Sequence, residues 1–399
     1  MRSYRLISSP DSIASAKVRL YLRWKNVPFR ETVATRQVIK CEVTPRIKGV
    51  DVPIFITPTN ETHQDSRAII DFVEARERGD ALVPERGELT FAARLMEAYC
   101  DDWLANAITQ IVWSHDKTRA PLTLAKTLYP DQSPEQNERI ARILVSRVGS
   151  RLARRGFEAS MISDTREQVS IFLSCLDRHL ERSDFLLGDR PCIADFGLAA
   201  ALTTLRDSSA DGATFVAERP HVFNWLAEVN GPGSPALGEY RRAYGLPATL
   251  IDLLRIASVH FIPHGLEACD AVADWADANP GKINLPKIVG HSRRGDAASE
   301  LNPQSQFLMQ RILDALAQAD TPADKTALQE TLEKVGCADL ADYQPRRTVR
   351  HEHFRMRVNL TPNPAASTPN IAFHNIAEPL LQVRRESSET RDLERLVVS

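Results

Sequence analysis

Residues 8–22 read SSPDSIASAKVRLYL, and the reading of this stretch decides the fold at the start of the chain. Ser3 to Ile7 ahead of it is short, apolar and β-compatible, so the chain runs from a strand into a Ser- and Pro-bearing turn. From Ile13 the period changes. Ala14, Val18, Tyr21 and Leu22 fall on one face of a helix that ends near Asn26, before Pro28. Ser12 stands where an N-cap belongs, and its hydroxyl is suited to accept from a first-turn amide, worth about 1 kcal/mol.

Working outward, Phe29 to Val33 returns as a second strand, and Val52 to Thr57 (VPIFIT) is β-rich. Pro58 to Asn60 is a turn, and Glu61 to Gln64 a short hairpin partner. DSRAIIDFVEARERG then places Ala68, Ile69, Phe72 and Val73 on one helical face, starting at Asp65 or Ser66 and stopping at Gly79. Residues 1–80 are therefore expected to be one α/β unit. Residues 88–245 read as wholly helical, with an apolar helix after Cys192 that must be buried and Trp225 facing inward. GPGSP (231–235) marks a boundary. A further helical region, 246–345, is expected to hold helices at Leu250–Ile256, Leu266–Ala278, Gln306–Ala319 and Pro322–Val335. Residues 346–399 are basic and low in complexity and are expected to be a disordered tail.

Composition narrows the function classes. The chain has 399 residues, 43% hydrophobic and 26% charged, with a formal charge of -2, so no global field draws it to nucleic acid or an anionic surface. Neither nucleic acid nor membrane is expected as a partner. The six cysteines include no CxxC pair and no histidine at zinc spacing, which points to a reducing cytoplasm and no metal. His260 and His264 have helical ligand spacing, but Pro263 between them is expected to break the helix that would align them. The tryptophans read as core, with Trp113 a candidate for lining a substrate pocket.

Ser12-Ile13-Ala14-Ser15-Ala16-Lys17-Val18-Arg19, Val52-Pro53, Gln64-Asp65-Ser66-Arg67 and Gly188 to Leu198 with Ile193-Ala194-Asp195-Phe196 occur in this order. Together they resemble glutathione S-transferases, in particular long bacterial glutathione transferase-like proteins with a C-terminal extension. The resemblance implies an N-terminal thioredoxin-like domain followed by an all-helical domain, here with an extra helical extension. It further implies glutathione as co-substrate, a small apolar electrophile housed by the helical domain, a homodimer and no metal. By that pattern Ser12 would hold the glutathione thiolate at a helix N-terminus, where the dipole favours negative charge. Ser9 is its close rival and Ser15 a more distant one. Val52-Pro53 would be a cis dipeptide pairing with the extended glutathione backbone. Asp65 and Ser66 would take the γ-glutamyl end. Lys48 or Arg46 would meet the glycyl carboxylate. Asp195 reads as a structural capping-box residue in either case. A non-catalytic binding or assembly protein, and glutathione-dependent lyase, dehalogenase or isomerase chemistry, are the alternatives.

Overall fold

The computed structural model describes residues 3–77, 79–115, 118–232, 238–294 and 297–367. Its first unit is β1 (Tyr4–Ser8), α1 (Ile13–Trp24), β2 (Phe29–Val33), the short helices α2 (Arg36–Val38) and α3 (Thr44–Ile47), β3 (Ile54–Ile56), β4 (Thr62–Gln64) and α4 (Ser66–Arg76). The sheet order is β2-β1-β3-β4. β1 and β2 run parallel, Tyr4 opposite Phe29, because the α1 crossover between them returns the chain in the same direction. β3 and β4 then run antiparallel, with Arg5 opposite Ile56 and Ile54 opposite Gln64. This is the α/β unit expected for residues 1–80, with the thioredoxin-like fold that the resemblance implied.

α1 is buried on more than one side, which explains its apolar weight. Val18, Tyr21 and Leu22 are fully buried, each side chain contributing about 1.5–3 kcal/mol. Tyr21 meets Phe196 edge-on, and Trp24 donates its indole N–H to the Val229 carbonyl at 2.9 Å. The helix thus joins the sheet to the helical unit.

That unit comprises α5 (Gly87–Tyr99), α6 (Ala105–His115), α7 (Arg119–Leu128), α8 (Pro134–Arg154), α9 (Ile162–Leu180), α10 (Ile193–Ser208), α11 (Ala210–Ala217) and α12 (Pro220–Val229). A π turn over Cys100–Leu104 joins α5 to α6. Asp195, in the first turn of α10, accepts from the Cys192 amide at 2.9 Å, the Leu186 amide at 3.1 Å and the Trp225 indole at 3.2 Å.

The extension departs from the sequence reading in three places. Leu250–Ile256 and Leu266–Ala278 are parts of one helix, α13 (Ala248–Ala278), which carries Pro263 inside it. The proline costs about 3 kcal/mol locally. Burial of Phe261, Ile262, His264 and Leu266 around it outweighs that cost. Gly265 lets α13 approach closely: a Cβ there would stand 3.2 Å from Met309 Sδ. Next, β5 (Gly290–Arg294) and β6 (Ala297–Leu301) form an antiparallel pair that the sequence reading had not anticipated, followed by α14 (Pro303–Leu316) and α15 (Pro322–Val335). Finally, the expected tail is ordered in its first part. β7 (Val349–Glu352) and β8 (Arg355–Val358) make a hairpin whose Val349, Met356 and Val358 bury against Val272 and Ala276 of α13. The rest of the expected tail, 368–399, and Gly233–Pro235 of the expected boundary lie outside the described residues.

Candidate functional site

α1 begins where β1 ends, so its first turn faces the end of the sheet at which β3 and α4 also start. Ser12 has extended backbone angles, and its Oγ accepts from the Ser15 amide at 3.2 Å. It is the cap that the local sequence suggested. Ser15 is fully buried, and its Oγ receives the Ser9 amide at 3.4 Å. Ser9 Oγ is buried with no hydrogen-bond partner among the described residues.

Ile13 and Ala14 of this turn line a cleft of about 670 Å³, together with Lys48, Val52, Pro53, Gln64, Asp65, Ser66 and Arg67. The Val52–Pro53 bond is cis. Lys48 is exposed at the cleft edge. Arg46 turns to another face, where it bonds Asn60 Oδ1 and Thr62 Oγ1. Of the two basic candidates only Lys48 borders the cleft.

Asp65 caps α4 from a positive φ of 82° and accepts from the Arg67 amide at 3.0 Å. Arg67 Nε also donates to it, at 2.8 Å. Burial alone would raise the Asp65 carboxyl, but the Arg67 guanidinium reverses this and holds it at about 2. Asp65 is therefore a carboxylate throughout the physiological range. Its pKa is depressed from 3.8, so its stabilising contribution is complete above about pH 4 and is lost as the pH falls through about 2. The shift corresponds to about 2.5 kcal/mol. Asp65→Asn is expected to flatten the acid limb of a stability-against-pH curve between pH 4 and 2. An unchanged limb would show that Asp65 titrates alike in the folded and unfolded chain and that Arg67 does not hold its carboxyl down.

Behind the cleft lies a charge cluster that the sequence reading missed. Lys17, 1% exposed, bonds Glu97 at 2.9 Å and Asp101 at 3.0 Å. Arg94 pairs with Glu97 at 2.9 Å, and Arg311 of α14 reaches Asp71 of α4 at 2.9 Å. Burial would depress the Lys17 ammonium, but Asp101 and Glu97 raise it above its ordinary value. For Glu97, Lys17 and the arginines likewise overcome burial and hold the carboxyl well down. The N-terminal unit, the helical unit and the extension thus share one cluster of opposite charges, buried at Lys17 and Glu97 and open to solvent at Asp71.

The far wall of the cleft belongs largely to the extension. Leu285, Pro286 and Lys287, the start of α14 at Asn302 to Ser305, and His351 and Phe354 to Met356 of the hairpin all line it. His351 is close enough to Asp65 and Arg67 to feel both charges, although burial is the main cause of its lowered pKa. The helical unit contributes Asp101, Asp102, Ala105 and Arg155. Trp113, the sequence candidate for a pocket wall, packs instead against the main core. His260 lies in unbroken α13 and stacks on Trp103 at 4.0 Å. Among the described residues no group of three His, Cys, Asp or Glu is placed to hold a metal ion, and no helix is long and apolar enough to cross a membrane.

Comparison with known proteins agrees with this architecture. Residues 6–81 match the glutathione S-transferase N-terminal domain and residues 162–228 the glutathione S-transferase C-terminal domain. No protein with a curated description matches. Among solved structures, a glutathione S-transferase from Rhodospirillum rubrum F11 is 18% identical, covering 63% of this chain and 99% of its own, with a TM-score of 0.40. One from Methylobacillus flagellatus KT with glutathione bound is 17% identical over 56% of this chain and 93% of its own, TM-score 0.38. The β-etherase LigF from Sphingobium sp. strain SYK-6 is 17% identical over 58% and 96%, TM-score 0.45. Both domain types are matched in order on one polypeptide, so the chain carries the N-terminal and C-terminal domains of a glutathione S-transferase.

Proposed function

We propose that this protein is a glutathione transferase that binds glutathione in the cleft between α1, cis-Val52-Pro53 and α4, and transfers its sulfur to a small electrophile. One observation carries the reading: the first turn of α1, the cis dipeptide, Lys48 and the N-terminus of α4 all border a single cleft. In this arrangement the Val52 backbone pairs with the extended peptide. The Ser66 end of α4 takes the γ-glutamyl carboxylate, Asp65 accepts from its ammonium, and Lys48 meets the glycyl carboxylate.

The thiol is activated at the first turn. Ser12 Oγ uses a lone pair for the Ser15 amide and keeps its O–H to donate to sulfur. Ser9, with its unpartnered hydroxyl, is the alternative donor. The thiol proton leaves to solvent, and the sulfur lone pair forms the new C–S bond. The leaving group departs with its bonding electrons. Catalysis comes from proximity and thiolate stabilisation, with no metal in the scheme. The apolar body expected of the electrophile meets Leu285, Pro286, Leu308 and Met356. These come from the extension, whereas the sequence reading expected the helical unit to house it.

The free cysteines, five of them buried, suit the reducing cytoplasm expected for this chain. A homodimer would have to pair through a face other than α5, because α13, α14 and α15 all pack on that helix.

Calorimetry with glutathione, joined to ultraviolet titration of the bound thiol, tests the proposal. Wild type is expected to bind and to lower the thiol below its free value of about 8.5. Ser12→Ala is expected to raise the bound thiol by about one unit while leaving affinity within a few fold. If Ser9→Ala does this instead, the thiolate role passes to Ser9. Absence of binding by wild type defeats the proposal, and binding without turnover on an electrophile panel favours a non-catalytic role.

A further inference from the structure

The wall supplied by the extension has a chemical character of its own. Asn302 caps α14 by accepting the Gln304 amide on Oδ1 at 2.9 Å. Its Nδ2 has no hydrogen-bond partner among the described residues, although Asn302 is only 6% exposed and lines the cleft. Beside it open the first residues of a 14-residue helix, whose positive end favours an anion.

Cations flank this end. Lys287 and Arg355 come from the extension and Arg155 from the end of α8. None of them pairs with a carboxylate among the described residues. The acidic groups of the cleft, by contrast, are already engaged. Asp65 is held by Arg67, and Asp101 by Lys17. Asp102 accepts from Ser305 Oγ at 3.3 Å, and Asp51 acts on the Arg151 charge. With Lys48 given to glutathione, the uncompensated charge left in the cleft is positive, and two of its three cations, Lys287 and Arg355, belong to the extension.

We propose that the extension is the recognition wall for the second substrate, and that this substrate is an electrophile with an apolar body and a carboxylate-type anionic group. Lys287, Arg355 and the Asn302 amide hold the anion at the N-terminus of α14. Leu285, Leu308 and Met356 cover the body, so the electrophilic carbon is directed across the cleft toward the first turn of α1. The proposal rests on the glutathione reading above, and its test separates the two.

The probes are S-(4-carboxybenzyl)glutathione and S-benzylglutathione, which differ only in the anionic group, titrated calorimetrically into the full chain. The carboxylated conjugate is expected to bind about tenfold tighter, the scale of one charge-assisted contact. In Arg355→Ala/Lys287→Ala, both sites exposed, this ratio is expected to fall toward one while the affinity for glutathione itself changes less than twofold. Equal binding of the two conjugates by wild type overturns the proposal. So does an equal loss for glutathione and both conjugates in the variant, which would assign these cations to glutathione. If wild type fails to bind glutathione at all, 4-nitrobenzoate and 4-nitrobenzamide titrated alone read the wall directly. A benzoate preference abolished in the variant sustains it, and no preference overturns it.

Discussion

Lys17→Met is expected to destabilise the protein by about 3–5 kcal/mol, read as a lower midpoint in urea denaturation. The substitution keeps the length of the side chain and removes only the charge. Glu97 retains Arg94 at 2.9 Å and Arg311 at 3.6 Å, but Asp101 is left with Arg67 at 4.0 Å as its nearest cation. A buried carboxylate stripped of its partner costs more than the pair ever contributed, because its desolvation is no longer offset. The double variant Lys17→Met/Asp101→Asn is expected to recover at least about 1 kcal/mol of the loss, the mark of two groups that act together. A loss under about 1 kcal/mol in the single variant would mean that water reaches the cluster and solvates it.

The second large effect is expected at Asp195. In Asp195→Ala the amides of Leu186 and Cys192 and the indole of Trp225 lose their acceptor together. Asp195 is fully buried and Trp225 only 3% exposed, so little water can replace it. Each stranded donor costs about 1–3 kcal/mol, and partial relaxation brings the sum to about 3–5 kcal/mol. Asp195→Asn keeps one acceptor oxygen and is expected to lose about half as much. Thermal unfolding of the two variants checks the order, and an Asn variant as damaged as the Ala variant would contradict it. Burial pushes the Asp195 carboxyl up to about 6, against the three hydrogen bonds that favour its charged form. The site therefore carries a desolvation load that only full hydrogen bonding makes tolerable.

How much of this was readable from the residues depended on how local the cause was. α1 announced itself through the Ser12 cap and its apolar spacing, and α10 through the Asp195 box. Val52-Pro53 and Asp65-Ser66 were legible as a set through their order along the chain, and each now borders the same cleft. Lys17 was harder, although a signal existed. It stands one helical turn before Tyr21, on the edge of the buried face, where a charge implies a partner.

The extension resisted for physical reasons. Pro263 obeys a local rule that buried neighbours on a 31-residue helix override. The β7–β8 hairpin has clear period-two spacing in Val349, His351, Met356 and Val358, but its turn is His353-Phe354, at φ 49° and 62°. Without the Asn or Gly that such a turn favours, the segment reads as a basic tail. The far wall of the cleft was invisible for another reason. It joins residues 285–287, 302–305 and 351–356 to residues 13–67, a tertiary encounter that no local pattern encodes.

That encounter also sets an order of events during synthesis. The thioredoxin-like unit, ending with α4 at Arg76, leaves the ribosome long before the hairpin at 349–358 is made, and domains of this kind fold as they emerge. A nascent chain therefore presents the half of the cleft formed by α1, Val52-Pro53 and α4 open to solvent and lacks the opposite half until α14 and the hairpin have docked. α14 carries both the wall residues Pro303 to Ser305 and Arg311, which bonds Asp71 of α4 at 2.9 Å, so the docking of one late helix sets the far wall and ties it to the first unit.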